Sequence, residues 1–157
     1  MADVAIAGMM PQDLVLIAQA VASGAMCGLI WFVQAVHYPL FALITGEPSR
    51  HHARENQRRT APVVVPFMAL EVVAAVAVAV WPPPGVGRGA ALVGIALVVV
   101  AWLSTLFLQM PLHARLADEG HAADDVSRLV RTNWIRTIAW TLRAILAAWM
   151  LRAAQSG

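Results

Sequence analysis

Residues 61–81 read APVVVPFMALEVVAAVAVAVW, and Glu71 is the single charged residue among them. An α-helix needs about 20 predominantly apolar residues to cross the hydrocarbon core of a bilayer. A transmembrane β-strand needs only about 9 to 11 residues, in which apolar and polar side chains alternate, and this run does not alternate. The segment therefore predicts a transmembrane helix.

Three further apolar segments accompany this one, at about 13–43, 89–112 and 126–151. The chain has 157 residues, of which 60% are apolar and 13% charged, and its mean hydropathy is +0.68. A soluble domain carries about 25% charged residues, so a water-soluble globule is disfavoured. We therefore predict a single domain over residues 1–157, an all-α integral membrane bundle of four transmembrane helices in contact with the lipid bilayer.

The residues between the apolar segments are consistent with four separate helices. Thr60-Ala-Pro62 offers an N-cap and a proline for the first turn of the second helix, and three prolines follow Trp81. The short link after Trp81 makes the second and third helices antiparallel neighbours. The helices are thus expected at about 13–43, 61–81, 89–112 and 126–151.

The charges of this chain are typical of a membrane protein rather than of a nucleic-acid-binding protein. All eleven basic residues are arginines, the net charge is +2, and no dense basic run is interleaved with aromatic residues. Most of the arginines fall in the two loops on one side, namely Arg50, Arg54, Arg58, Arg59, Arg115, Arg128 and Arg131. We expect the protein in the inner (plasma) membrane. The positive-inside rule places its histidine- and arginine-rich loops on the cytoplasmic side and both termini on the outer side.

The two halves of the chain resemble each other. Residues 56–60 and 133–137 both have the form Asn-x-x-Arg-Thr, and the preceding helices end in His37-Tyr-Pro39 and Gln109-Met-Pro111. Two copies of one helical hairpin, related by an axis along the membrane normal, would produce this pattern. The matches are short, so a true repeat and a chance similarity both stay open.

The predicted topology brings the polar residues together at one end of the bundle. The side chains concerned are His37, His51, His52, His113, His121, Gln34, Gln109, Asn56, Asn133, Arg59 and Arg136. In the first helix, Gln19, Ser23, Gln34 and His37 fall within about 60° of one another at 100° per residue. We therefore expect a polar site at this end.

Two chemistries fit such a site. In the first, His37, His113 and His52, or His51 in its place, bind a transition metal such as Fe, Cu or Zn. In the second, which needs no metal, a neutral His37 or His113 acts as general base. The histidines of the loops can also be solvated residues without a ligand.

In the metal-free chemistry, Arg59 and Arg136 stabilise an enolate or phenolate. Asn133 belongs to the same catalytic set, and Gln34, Gln109 and Asn56 are the expected cofactor- or ligand-binding amides. A purely structural role is the alternative, with arginines that bind lipid phosphates and amides that bond helix ends.

Two charged residues fall deep within the apolar segments. Glu71 lies about 16 Å beyond Thr60, and Arg143 lies six residues beyond Thr137. An unpaired charge at this depth costs a few kcal/mol, so we predict a structural ion pair between Glu71 and Arg143. A proton-carrying Glu71 and a lipid-facing Arg143 that snorkels are the alternatives.

The C-terminal half resembles the anthrone oxygenase-like family of small four-helix membrane proteins, some of which oxidise anthrones with dioxygen. The resemblance covers Pro111-Leu-His-Ala-Arg-Leu116, an acidic linker and Asn133-Trp-Ile-Arg-Thr137. This chain has His113 where the family often has Asn, and Asn133 where it often has His. The resemblance implies an aromatic or quinone-like ligand at the polar end, with Arg136 as the partner of its anion.

The leading functional hypothesis is a membrane-embedded redox or oxygenase-type enzyme that acts on an apolar aromatic or quinol-like small molecule. A small transporter or channel subunit, lined by the polar face of the first helix, is the second hypothesis. A structural membrane protein without a catalytic site is the third. The sequence leaves open whether the chain is an enzyme and whether it forms a homo-oligomer.

Overall fold

The computed structural model describes residues 10–156, which form four helices and contain no β-strand. Helix α1 is Pro11–Phe41, α2 is Pro48–Val80 and α3 is Arg88–Asp118, and each of these three is long and apolar enough to cross a membrane. Helix α4 is Ala123–Ser156. The architecture is thus the predicted all-α bundle.

The fourth predicted span is formed as a helix, but α4 does not belong to the helices that are apolar enough to cross a membrane. Its polar residues explain the difference, because Asn133, Arg136 and Arg143 all lie in its central part and are buried within the bundle. Membrane-spanning character, judged by length and composition, therefore extends to three helices.

Helix α2 begins at Pro48 and not at the predicted Ala61. Pro62 was predicted to lie in the first turn of this helix. In the structure Pro48 lies in the first turn, and both Pro62 and Pro66 lie inside the helix. Each internal proline lacks an N–H group and frees a carbonyl one turn earlier. Both prolines are exposed, so their rings point out of the bundle, and α2 continues through them.

The helices form a ring in which each packs against two neighbours. Helices α1 and α3 each pack against both α2 and α4, so α1 and α3 face each other across the bundle. Each connection contains a glycine with positive φ, at Gly46, Gly85 and Gly120. At Gly85 a side chain would also overlap the backbone carbonyl of Ala153, so this connection is held closely against the end of α4.

Helices α1 and α3 share a local irregularity that positions the polar end. Each contains one wide π-helical turn, Val33–His37 in α1 and Thr105–Gln109 in α3. Each turn ends two residues before a proline, Pro39 or Pro111. The ring of a proline crowds the carbonyl four residues earlier, and a widened turn relieves that contact. The two predicted hairpin copies thus have the same irregularity at the same place.

Two hydrophobic clusters fill the interior. The larger cluster surrounds the polar end and includes Ile30, Met68 and Trp140, whereas the smaller one closes the opposite end and includes Leu16 and Met150. Along each helix, the residues of the two clusters are separated by the level of Glu71. The apolar residues of the interior therefore form two clusters with Glu71 between them, and the larger cluster also encloses buried polar side chains.

Candidate functional site

A chain of three side chains from three helices forms the centre of the polar end. Arg136 Nη2 of α4 donates to Tyr38 Oη of α1 at 3.0 Å, and Tyr38 Oη lies 2.9 Å from His113 Nε2 of α3. A guanidinium only donates, so the tyrosine oxygen accepts from Arg136, and we assign its single hydrogen to His113 Nε2. This assignment makes His113 a neutral imidazole that is protonated at Nδ1.

Amide and hydroxyl groups hold Arg136 in place. Asn133 Oδ1, one turn earlier, accepts from Arg136 Nε at 2.9 Å, while Asn133 Nδ2 donates to Gln34 Oε1 at 2.9 Å. Gln34 Oε1 also accepts from Thr137 Oγ1 at 3.3 Å, and Thr105 Oγ1 of the π turn in α3 accepts from Arg136 Nη1 at 3.4 Å. The guanidinium is thus fixed from α1, α3 and α4.

The first hairpin carries a second histidine, His37, at the end of the π turn of α1. His37 Nε2 lies 2.8 Å from Asn56 Oδ1, which also accepts from Thr60 Oγ1 at 3.2 Å. Because an amide oxygen only accepts, we assign a proton to His37 Nε2. Gln57 Nε2 ties α2 to α3 by donating to the backbone carbonyl of His113 at 2.8 Å.

These polar groups border a cavity of about 380 Å³ that is otherwise apolar. Residues from all four helices line it: Met26, Leu29, Ile30, Val33, His37, Tyr38, Asn56, Gln57, Thr60, Ala61, Val64, Val65, Met68, Thr105, Gln109, Met110, His113, Ala114, Arg136 and Trp140. A concave, mostly apolar space with a few convergent polar groups is the usual form of a small-molecule site.

The cavity opens sideways between α2 and α3. Four of its lining residues are exposed on the outside of the bundle, Ala61 and Val65 of α2 and Met110 and Ala114 of α3. None of the four has a polar side chain. The mouth of the cavity therefore faces an apolar environment when these helices lie in a bilayer.

The electrostatics of the cavity are set by Arg136. Its side chain is 8% exposed, and no carboxylate among residues 10–156 forms an ion pair with it. Its guanidinium carbon lies 5.9 Å from the centre of the Trp140 ring, within the range of a cation–π contact. The cavity thus contains a fixed positive charge that is stabilised by dipoles and an aromatic ring only.

Most of the site residues predicted from the sequence come together here. His37, His113, Arg136, Asn56 and Gln109 line the cavity. Gln34 and Asn133 are buried behind Arg136 and hydrogen-bonded to each other.

Arg59 does not reach the site. Its side chain is 75% exposed and pairs with Glu55, with 2.9 Å between Nε and Oε2. Glu55 lies one turn earlier on the exposed face of α2, so this local ion pair directs Arg59 away from the cavity. The prediction of two guanidiniums at the site is therefore wrong for Arg59, and the apparent equivalence of Arg59 and Arg136 does not extend to their surroundings.

The predicted metal site is not formed. Within the described part of the chain, no group of three His, Cys, Asp or Glu side chains could hold a metal ion. Nε2 of His37 is hydrogen-bonded to Asn56, and Nε2 of His113 is hydrogen-bonded to Tyr38. The ring of His52 packs edge-on against the ring of Phe41, with 4.9 Å between the ring centres. These contacts keep the three imidazoles apart, so the geometry does not support the expectation of Fe, Cu or Zn.

The sequence reasoning missed Tyr38, which links Arg136 to His113. Tyr38 is the single tyrosine of the chain and directly follows His37, just before a proline inside an apolar run. A lone phenol at the polar end of a predicted span was a usable signal. The roles of Thr105 and Trp140 were missed as well, because they depend on the π turn and on packing between helices.

Glu71 and Arg143 lie where pairing was predicted. Arg143 Nε is 4.0 Å from Glu71 Oε1, and the two side chains are 1% and 2% exposed. The carboxylate accepts from Ser23 Oγ at 2.7 Å and from Trp140 Nε1 at 2.6 Å. The three nitrogens of Arg143 have no hydrogen-bond partner within residues 10–156. The carboxylate of Glu71 thus accepts two side-chain hydrogen bonds, whereas the guanidinium of Arg143 is stabilised only by the nearby negative charge of Glu71.

Comparison with known proteins does not extend this picture: no family model, no curated protein and no solved structure matches the chain.

Proposed function

We propose that this chain is an integral membrane enzyme of the redox or oxygenase type, which acts on an apolar aromatic or quinol-like molecule with an acidic O–H group. The observation that carries this proposal is the buried charge of Arg136, which borders an apolar cavity and has no carboxylate partner in the described part of the chain. A buried charge is costly without a counter-ion. A phenolate or enolate in the cavity supplies that counter-ion.

The hydrogen-bond chain gives this anion a route of formation. The ligand proton passes to the oxygen of Tyr38 while the proton of Tyr38 passes to His113 Nε2, and the oxyanion is left beside Arg136. Neutral His113 is the final proton acceptor, and fixed donors stabilise the charge where it develops. An electron-rich phenolate or enolate is the form that dioxygen oxidises, so this scheme suits an oxygenase-type reaction without a metal.

Transport is the weaker alternative for this architecture. A transporter or channel needs a polar path through the bundle. Leu16, Val78 and Met150 of the smaller hydrophobic cluster are at most 1% exposed and fill the interior beyond the buried ion pair. This arrangement supports a site that is open from the side and closed along the axis.

The proposed enzyme includes α4 as a fourth transmembrane helix. Its two central arginines point into the bundle, whereas its outward side is apolar, with exposed Ile138, Leu142 and Ile145. Such an inside-out distribution is expected when polar residues face the interior of a membrane bundle. We propose the inner membrane as its location, with the arginine-rich connections in the cytoplasm.

The proposal is tested with purified protein in lipid nanodiscs and β-naphthol, whose ultraviolet absorption distinguishes the neutral phenol from the phenolate in the ground state. We expect bound naphtholate at neutral pH. The Arg136→Gln variant should lose the phenolate signal by at least about tenfold, because a charge-assisted hydrogen bond contributes roughly 1.5–3 kcal/mol. Arg131→Gln is the matched control, since Arg131 lies on the same helix and is exposed.

Tyr38→Phe separates binding from proton transfer. This variant should still bind naphtholate that is supplied at high pH, whereas its rate of deprotonation and of dioxygen consumption with anthrone should fall by about 10²–10⁴-fold. Equal phenolate binding by the wild type and Arg136→Gln would overturn the assignment of Arg136. Absence of any phenol binding would overturn the proposed function.

A further inference from the structure

A second depression lies between α2 and α3, the same pair of helices that frames the mouth of the cavity. It has a volume of about 440 Å³, and all its lining side chains are aliphatic or aromatic, among them Val72 and Val76 of α2 and Val99, Trp102 and Leu103 of α3. We call this depression the apolar groove. Its apolar lining suits a hydrocarbon chain and not a polar head group.

On α2, the groove continues the rim of the cavity. Val65 belongs to the rim, and Val72 and Val76 line the groove. These valines are seven and then four residues apart, which places them on one face of the helix. Val65 and Val76 are 53% and 48% exposed, so this face is open to the surroundings of the bundle.

On α3, the same spacing runs in the opposite direction. Met110 belongs to the rim, and Leu103 and Val99 line the groove, again seven and then four residues apart. All three are more than 40% exposed. Because α2 and α3 are antiparallel neighbours, the two apolar strips lie side by side and lead from the mouth of the cavity into the groove.

We infer that the apolar groove holds the hydrocarbon tail of the same ligand whose polar head occupies the cavity. The substrate class is therefore a phenol, quinol or enolisable ketone that carries a long alkyl or isoprenoid chain. This inference rests on the proposed function, since the head must lie beside Arg136 for the tail to leave through the rim. Along α3 the groove extends from Ile95 to Leu103, about 12 Å at the rise of an α-helix.

Two probes separate the head from the tail. β-Naphthol represents the head alone, and a dodecyl-β-naphthol with a diazirine in the middle of its chain represents head and tail. Affinities are measured in nanodiscs and expressed per lipid, so that partitioning of the tail into the bilayer cancels. We expect the tailed probe to bind about fivefold more tightly, a modest gain because packing alone favours a groove over lipid. After irradiation, its cross-links should map to Val76, Val99 and Leu103.

Groove-filling variants provide the matched comparison. Val76→Phe and Val99→Phe place a ring in the groove and should remove the advantage of the tail, while β-naphthol binding stays unchanged. Val73→Phe and Val100→Phe change exposed neighbours on the same helices that do not line the groove, and both should behave like the wild type.

The possible outcomes are distinguishable. If β-naphthol binds but the tail adds nothing, or if Val76→Phe and Val99→Phe have no effect, the inference is wrong and the proposed function stands. Cross-links from a diazirine-bearing phosphatidylcholine that the tailed probe does not displace would assign the groove to bulk lipid. Cross-links between two copies of the chain would assign it to self-association. If neither naphthol binds, the proposed function fails and the inference fails with it.

Discussion

Two buried arginines of α4 lie in opposite surroundings. Arg136 donates to Asn133, Tyr38 and Thr105 but has no carboxylate beside it, whereas Arg143 lies 4.0 Å from Glu71 and has no hydrogen-bond acceptor within the described residues. The side chains that accept hydrogen bonds from Arg136 are uncharged, so they leave its net charge available to a ligand. The charge of Arg143 is already neutralised, so this residue serves the stability of the bundle.

We predict that removing the carboxylate is the most damaging change to the buried ion pair. Glu71→Leu leaves Arg143 without its counter-charge and Ser23 and Trp140 without their acceptor. Removing one partner of a buried pair costs about 3–5 kcal/mol. The measurement is the apparent melting temperature of the detergent-solubilised protein, which should fall strongly in Glu71→Leu.

Neutral replacement of both partners is the control for this prediction. Combining Glu71→Gln with Arg143→Met removes both charges and keeps both hydrogen bonds, because the amide oxygen can accept from Trp140 Nε1 while the amide Nε2 donates to Ser23 Oγ. The double variant should therefore be more stable than Glu71→Leu. Glu55→Gln breaks the ion pairs of an exposed carboxylate and should leave the melting temperature unchanged. A double variant as unstable as Glu71→Leu would show that electrostatics do not hold this layer together.

The positions of the buried charged residues could be predicted from the sequence, but the position of Arg59 could not. The depth of Glu71 and Arg143 follows from helix geometry, and the cost of an isolated charge predicts that they meet. The fate of Arg59 could not be obtained in this way, because the Asn-x-x-Arg-Thr pattern is shared with Arg136 and only the acidic residue one turn earlier redirects it. Weighing Glu55 as an ion-pair partner of Arg59 would have corrected the prediction.

The prolines inside the helices have different effects on the helix before them. Pro39 and Pro111 each follow a π turn, whereas Pro62 and Pro66 lie within a continuous α2. The position of a proline is known from the sequence. Whether the helical turn before it widens cannot be predicted in this way, because that depends on how the neighbouring helices pack against the turn. The first helix was predicted to within two residues at each end, whereas α3 continues six residues beyond the predicted Leu112 and α2 begins thirteen residues before the predicted Ala61. The predicted and observed bounds differ most for α2 and α3, where the helix continues through a proline.

The π turn of α1 leads to a prediction about deletions. A five-residue turn contains one residue more than a regular turn, so deleting Val36, which is 42% exposed, should restore regular helix without rotating the residues on either side. Deleting Val21, which is 60% exposed and lies in regular helix, should instead rotate one part of α1 by about 100° relative to the other. Circular dichroism and thermal melting should show a folded protein for the first deletion only. Equal damage by both deletions would contradict the role assigned to the wide turn.

At the scale of the whole molecule, the bundle is polar inside at one end and apolar outside nearly throughout. The cavity lies at the end where the first helix finishes and the second begins, and the smaller hydrophobic cluster closes the other end. The sequence predicts this polarity well, since alternating helix directions bring all five histidines to one end. It does not predict the sideways opening, which arises from small and flexible side chains at facing positions of α2 and α3.

The orientation of the bundle is the remaining prediction for the whole molecule, and it can be tested by labelling single cysteines. Starting from Cys27→Ser, the variants Arg50→Cys and Arg128→Cys place a thiol at the arginine-rich end, and Arg88→Cys places one at the opposite end. If all four helices span the membrane with the arginines inside, a membrane-impermeant maleimide added to intact cells should label Arg88→Cys, and the other two should react only after the cells are opened. A fourth variant, Arg152→Cys, tests α4 alone, because Arg128 lies near the start of α4 and Arg152 near its end. If α4 crosses the membrane, Arg152→Cys should be labelled from outside together with Arg88→Cys. Labelling of Arg152→Cys only after the cells are opened would mean that α4, whose arginines make it the least apolar of the four helices, does not cross.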